Sequence, residues 1–193
     1  MWRILFRPLA CSAFALSMFA IVHADNPYAW WTQMGATGSP TSATASLAQF
    51  NSAGTVQVRS SAASGTLRLK YNVTAVDGVL DRTADHQRLC LMMVARADTS
   101  DSRVISTLYR QAFGDNQSPF VIGSIDTADF PANGSTGYRF MENCGLTDDA
   151  EGGVPLEILR FGYHAYFIEA QLIKRTSAAN PGLQSLAIGR IGT

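Results

Sequence analysis

From about Thr55 onward, apolar and polar residues alternate with a period of two. Residues 55–60 place Val56 and Val58 on one side, Gln57 and Arg59 on the other. After Ala62-Ala63-Ser64-Gly65 the pattern becomes long and clean. Leu67, Leu69, Tyr71, Val73 and Ala75 fall on one face, while Arg68, Lys70, Asn72 and Thr74 fall on the other. Helical spacing would scatter those polar residues around a cylinder, whereas a pleated strand separates them. The run predicts a strand with one wet face.

Further elements follow at short intervals. Asp77-Gly78 is a turn signal, and a polar stretch from Asp81 leads into 89–95 (Leu-Cys-Leu-Met-Met-Val-Ala). That segment is apolar on both faces, which predicts a central strand. Residues 104–113 alternate again, with Ile105, Thr107, Tyr109, Gln111 and Phe113 on one face. Residues 120–125 and 138–141 read as shorter strands. The stretch 156–161 fits either a strand or one helical turn. In 163–175, His164, Tyr166, Ile168, Ala170 and Leu172 alternate with Phe167, Glu169, Gln171 and Ile173. Asn180-Pro181-Gly182 turns the chain into a closing strand through Leu186 and Ile188. Eight or nine short strands with turn chemistry between them, and no convincing helix, predict an all-β antiparallel β-sandwich or jelly roll. It is expected to be a single domain over 55–193.

The first 54 residues are different. Residues 1–24 have the layout of a secretory signal peptide: Arg3 and Arg7, an apolar run from Leu9 to Val22, then small residues in Val22-His23-Ala24. The run is about 14 residues long, short of the ~18 to 20 that cross a bilayer, so no transmembrane anchor is expected after cleavage. Residues 25–54 lack periodicity and read as a flexible segment carrying an aromatic cluster, Tyr28, Trp30 and Trp31. Removal of the leader leaves two cysteines, Cys90 and Cys144. In a secreted or periplasmic chain these are expected to form a disulfide, with two buried free thiols as the alternative.

Composition narrows the function classes. The chain of 193 residues is 47% hydrophobic and 16% charged, with 15 basic and 15 acidic side chains, so it is neither disordered nor a basic nucleic-acid binder. Phosphate-binding glycine loops, the Gly-x-Ser-x-Gly elbow and His-Glu-x-x-His are all absent. His86 closes the stretch 81–86, where a carboxylate could orient it for base work, but a solvated loop histidine fits the same sequence. Calcium is the metal to consider, at Asp148, Asp149 and Glu151, although acidic loops are mostly solvated turns. No other cofactor is expected. The reading is an exported, non-catalytic binding or assembly module whose partner is a glycan or a protein. Tyr28, Trp30 and Trp31 are the candidate ligand-binding residues, with packing against the end of the sandwich as their bland alternative. A small hydrolase acting on a cell-envelope polymer, or a secreted inhibitor, is the competing class. Mass spectrometry of exported material is expected to find Asp25 as its first residue.

Overall fold

A computed structural model describes residues 30–75, 88–97, 99–114, 118–130, 137–148, 154–156 and 158–191. The expected signal peptide, Tyr28, His86, Asp149 and Glu151 lie outside the described residues. Thirteen strands and three short 3-10 turns are present among the residues described, and no α-helix.

Two antiparallel sheets face each other. In the first, β3 (Ala48–Phe50), β4 (Val56–Val58), β13 (Gly182–Ile191), β6 (Arg88–Arg96) and β9 (Arg139–Asn143) lie in that spatial order, and β1 (Trp30–Met34) also pairs with β13. The second runs β2 (Ser39–Pro40), β5 (Gly65–Val73), β12 (His164–Lys174), β7 (Ser102–Ala112) and β8 (Phe120–Asp126). A small ladder of β10 (Thr147–Asp148) and β11 (Val154–Pro155) sits apart from both.

The period-two pattern explains this arrangement directly. Along β5, Leu67, Leu69, Tyr71 and Val73 are buried, while Arg68, Lys70 and Asn72 are exposed. On β12 the buried set is Tyr166, Ile168, Ala170 and Leu172. They meet Val56, Val58, Leu89, Leu91, Met93, Leu186 and Ile188 of the opposite sheet in one continuous core. Strand β6 is flanked by β13 and β9, as its two apolar faces predict. Its outward residues Cys90 and Met92 form a separate small cluster with Ala187.

Cys90 and Cys144 are joined by a disulfide. The cross-strand pairing of Leu91 with Asn143 brings the two cysteines side by side. With its ends 54 positions apart in the sequence, the bond contributes roughly 4 kcal/mol on the chain-entropy account.

Two expectations need correction. Residues 30–54 are not a flexible appendage, because β1, β2 and β3 all lie in this stretch and add to both sheets. These strands are two to five residues long, too short to register as alternation. The segment is held by close backbone approach. A Cβ on Gly35 would stand 2.1 Å from the Leu183 carbonyl oxygen, and one on Gly38 would stand 2.4 Å from the Tyr71 ring. The Tyr71 hydroxyl, pushed by burial to titrate well above its ordinary range, donates to the Gly35 carbonyl at 2.7 Å. The second correction concerns 156–161, where the described residues form neither strand nor helix. Leu156 and Leu159 instead enter the core from an irregular connection.

Leu69 is fully buried, so Leu69→Ala is expected to cost ~2 to 5 kcal/mol in urea unfolding. Lys70→Ala, on the wet face of the same strand, should stay within about 1 kcal/mol. Tyr71→Phe strands the Gly35 carbonyl and is expected to cost ~1 to 3 kcal/mol by the same measurement.

Candidate functional site

The outer face of the five-stranded sheet carries the residues with the most chemistry to offer. An antiparallel sheet packed on one side leaves its other side to water, and the odd-even alternation decides which residues stand there. Register aligns them in rows across the strands. Asn72, Phe167, Tyr109 and Val121 form one row, and Lys70, Glu169, Thr107 and Ser124 form the next. Arg68, Gln171, Ile105 and Asp126 form a third.

Two rings occupy the centre of this face. Tyr109 and Phe167 stack with centroids 5.1 Å apart and planes 14° from parallel. The Lys70 ammonium lies 5.1 Å from the Phe167 centroid. Arg68 and Glu169 form a salt bridge at 2.8 Å, and Gln171 donates to the same carboxylate oxygen at 3.2 Å. Glu169 is thereby fixed between a guanidinium and an amide. The face thus offers apolar ring surface beside oriented donors and acceptors on a rigid sheet.

The aromatic character continues past the strand ends. Phe113 is 63% exposed and Tyr163 73%, and the Phe113 amide donates to the Tyr163 carbonyl at 3.1 Å. Phe113 lies four residues beyond Tyr109, roughly 13 Å along a strand. Val121, 51% exposed, extends the central row at the sheet edge.

The structure treats the sequence-derived candidates differently. Trp31 is only 2% exposed and belongs to the core, which removes it from any ligand-stacking surface in this structure. Its placement follows from β1 pairing with β13, which sets Trp31 opposite Ile188. The backbone of Trp30 continues that strand opposite Gly189. Tyr28 lies outside the described residues. Of the acidic trio, Asp148 contributes backbone to β10, while Asp149 and Glu151 fall outside. Among the described residues no group of three His, Cys, Asp or Glu side chains is placed to hold a metal. The outer-face residues were visible in the alternation as the polar halves of three strands. Which strands are neighbours was not, and only adjacency turns Tyr109 and Phe167 into one feature.

Near one end of this face, Arg103 grips Asp126 with two nitrogens. Its Nε donates at 2.8 and 3.0 Å, and Nη2 makes a second contact to Oδ2. The Arg103 hydrogen bond, together with the Ala128 amide, holds the Asp126 carboxyl below its ordinary range. Such a group stabilises the fold above its unfolded pKa and loses that contribution as pH falls through the folded value.

No known protein family matches the sequence, and no curated protein is similar to it. Several solved structures are similar in part. A family two carbohydrate esterase from Cellvibrio japonicus aligns over 85% of this chain at 10% identity, with a TM-score of 0.37. The chain spans about a third of that protein, 34%. The xylan-binding module CBM15 aligns over 83% of this chain and 90% of its own, at 12% identity and a TM-score of 0.42. TmCBM61, solved in complex with beta-1,4-galactotriose, aligns over 84% of this chain and 88% of its own, at 13% identity and a TM-score of 0.38.

The stability difference between wild type and Asp126→Asn is expected to be present at pH 7. It should shrink as pH falls below about 3.8, the carboxyl's ordinary value. Urea midpoints at pH 7 and pH 3 measure it.

Proposed function

We propose that this protein is an exported glycan-binding module that holds its ligand on the outer face of the five-stranded sheet. The observation that carries the reading is the Tyr109–Phe167 pair standing amid Lys70, Arg68, Glu169 and Gln171 on a wet sheet face. Saccharides present hydroxyls around apolar C–H patches. A face combining ring surface with fixed donors and acceptors meets both parts of that chemistry. Phe113 and Tyr163 extend the apolar stripe along the strands, so the face suits a chain of several sugars rather than one. A sheet keeps these groups in place, which lowers the ordering cost of binding.

Export is part of the same proposal. The leader-like residues 1–24 support it, and the disulfide fits an oxidising compartment such as a periplasm or the extracellular space. A polysaccharide partner would be met there.

The purified chain lacking residues 1–24 should be screened against a panel of soluble plant and envelope polysaccharides by affinity electrophoresis. At least one glycan is expected to retard it, and the Tyr109→Ala, Phe167→Ala double variant should abolish that retardation while remaining folded. Retardation unchanged in the variant, or absent with every glycan, overturns the proposal. Release of reducing ends from the retarding glycan would favour a hydrolase instead.

A further inference from the structure

A cleft of about 430 Å³ lies at one end of the sandwich. That volume lies in the range of small-ligand sites and holds a sugar ring. Three arginines from separate parts of the chain line it: Arg103 at the start of β7, Arg139 at the start of β9 and Arg175 just after β12. No carboxylate is among the described lining residues. Ser102, Thr127 and Phe130 complete the part of the wall that matters here.

The donors are arranged for an incoming anion. Asp126 occupies only the Nε and Nη2 side of Arg103, which leaves Nη1 for a second acceptor. Arg139 is oriented by an Nη1 contact to the Phe130 carbonyl at 3.4 Å. Arg175 is exposed, but its backbone N–H donates a hydrogen bond to the Asp101 carbonyl at 2.9 Å. Ser102 supplies an independent sign. It is 5% exposed and lines the cleft, yet its Oγ has no hydrogen-bond partner among the described residues. A buried hydroxyl without a partner is costly unless something else satisfies it. The Thr127 hydroxyl is already taken, accepting from the Val104 amide at 3.0 Å.

We propose that this cleft binds an oxyanion carried on a sugar-sized ligand, a uronate carboxylate or a sulfate ester, with Arg103 and Arg175 donating to the oxygens, Arg139 adding positive charge to the wall and Ser102 hydrogen-bonded at the floor. Planar guanidinium groups match such oxygens in paired, charge-assisted hydrogen bonds. The half-buried Phe130 gives the ring an apolar wall. The cleft lies where the sheet face ends at Arg103 and Asp126, beyond the Tyr109–Phe167 pair, so either assignment can fail alone.

The test uses isothermal titration of the chain lacking residues 1–24 with trigalacturonate, neutral galactotriose and inorganic sulfate. Trigalacturonate, or failing that sulfate, should bind about tenfold more tightly than galactotriose, and Arg175→Gln should remove that advantage. A preference for trigalacturonate assigns the carboxylate source, and binding of sulfate alone assigns the sulfate ester. Ser102→Ala deletes an unsatisfied hydroxyl, so its Tm should hold or rise while anion binding weakens. The Tyr109→Ala, Phe167→Ala variant should keep the charged-over-neutral preference in full. Equal binding of charged and neutral probes, an advantage that survives Arg175→Gln, or a preference lost with the two rings would each overturn the proposal.

Discussion

Strand register is the constraint on which this fold rests. Side chains alternate with a period of two, so a slip of one residue would turn an entire buried face to water. Each long strand carries a one-sided apolar set that makes such a slip costly, and local devices reinforce it. The disulfide fixes the end of β9 to β6, where Leu91 pairs with Asn143. On the other sheet, a bulge between Leu108 and Tyr109 shifts β8, so that Val121 rather than Ile122 stands opposite Tyr109. Ile122 stays buried, and Val121 joins the aromatic row outside. The same irregularity that completes the core therefore shapes the outer face.

The sequence made the long strands legible because their alternation spans enough residues to exclude a helix. The run from Leu67 to Val73, the two-faced apolar run at 89–95 and the strand from His164 onward all form where the pattern places them. The expectation for 25–54 went astray for a physical reason. Where a segment is held by backbone contact at Gly35 and Gly38 and by strands of two to five residues, side-chain periodicity carries almost no signal. For Trp31, the aperiodic neighbours left ligand contact and packing against the sandwich both open, and the structure buries the ring. Its pairing partner, Ile188, lies 157 positions away, and no local pattern could have supplied it.

The candidate surfaces show the same limit from the other side. Tyr109 and Phe167 each sit on the polar half of an alternating strand, which marks them as unusual, but they are 58 positions apart. Arg103, Arg139 and Arg175 are spread over three strands' ends, and composition offers no reason to group them. What a sheet does is convert such distant residues into neighbours at fixed spacing, which is how a chain without a recognisable motif can still carry a built surface.

The place of β13 has a temporal consequence. Strand β13 follows all its partners in the sequence yet is an interior strand of the first sheet, with β6 along one edge and β1 and β4 sharing the other. Until Gly182–Ile191 is in place, that sheet is two halves with unsatisfied edges and an uncovered core. The partners of β13 lie far earlier in the sequence, and contacts of that kind form slowly. Cys90 and Cys144 both precede β13, so their bond can close while the sheet is still divided, with covalent order arriving ahead of packing. Loss of β13 would remove the keystone rather than trim an edge, and would expose two facing strand edges ready to accept a strand from another chain.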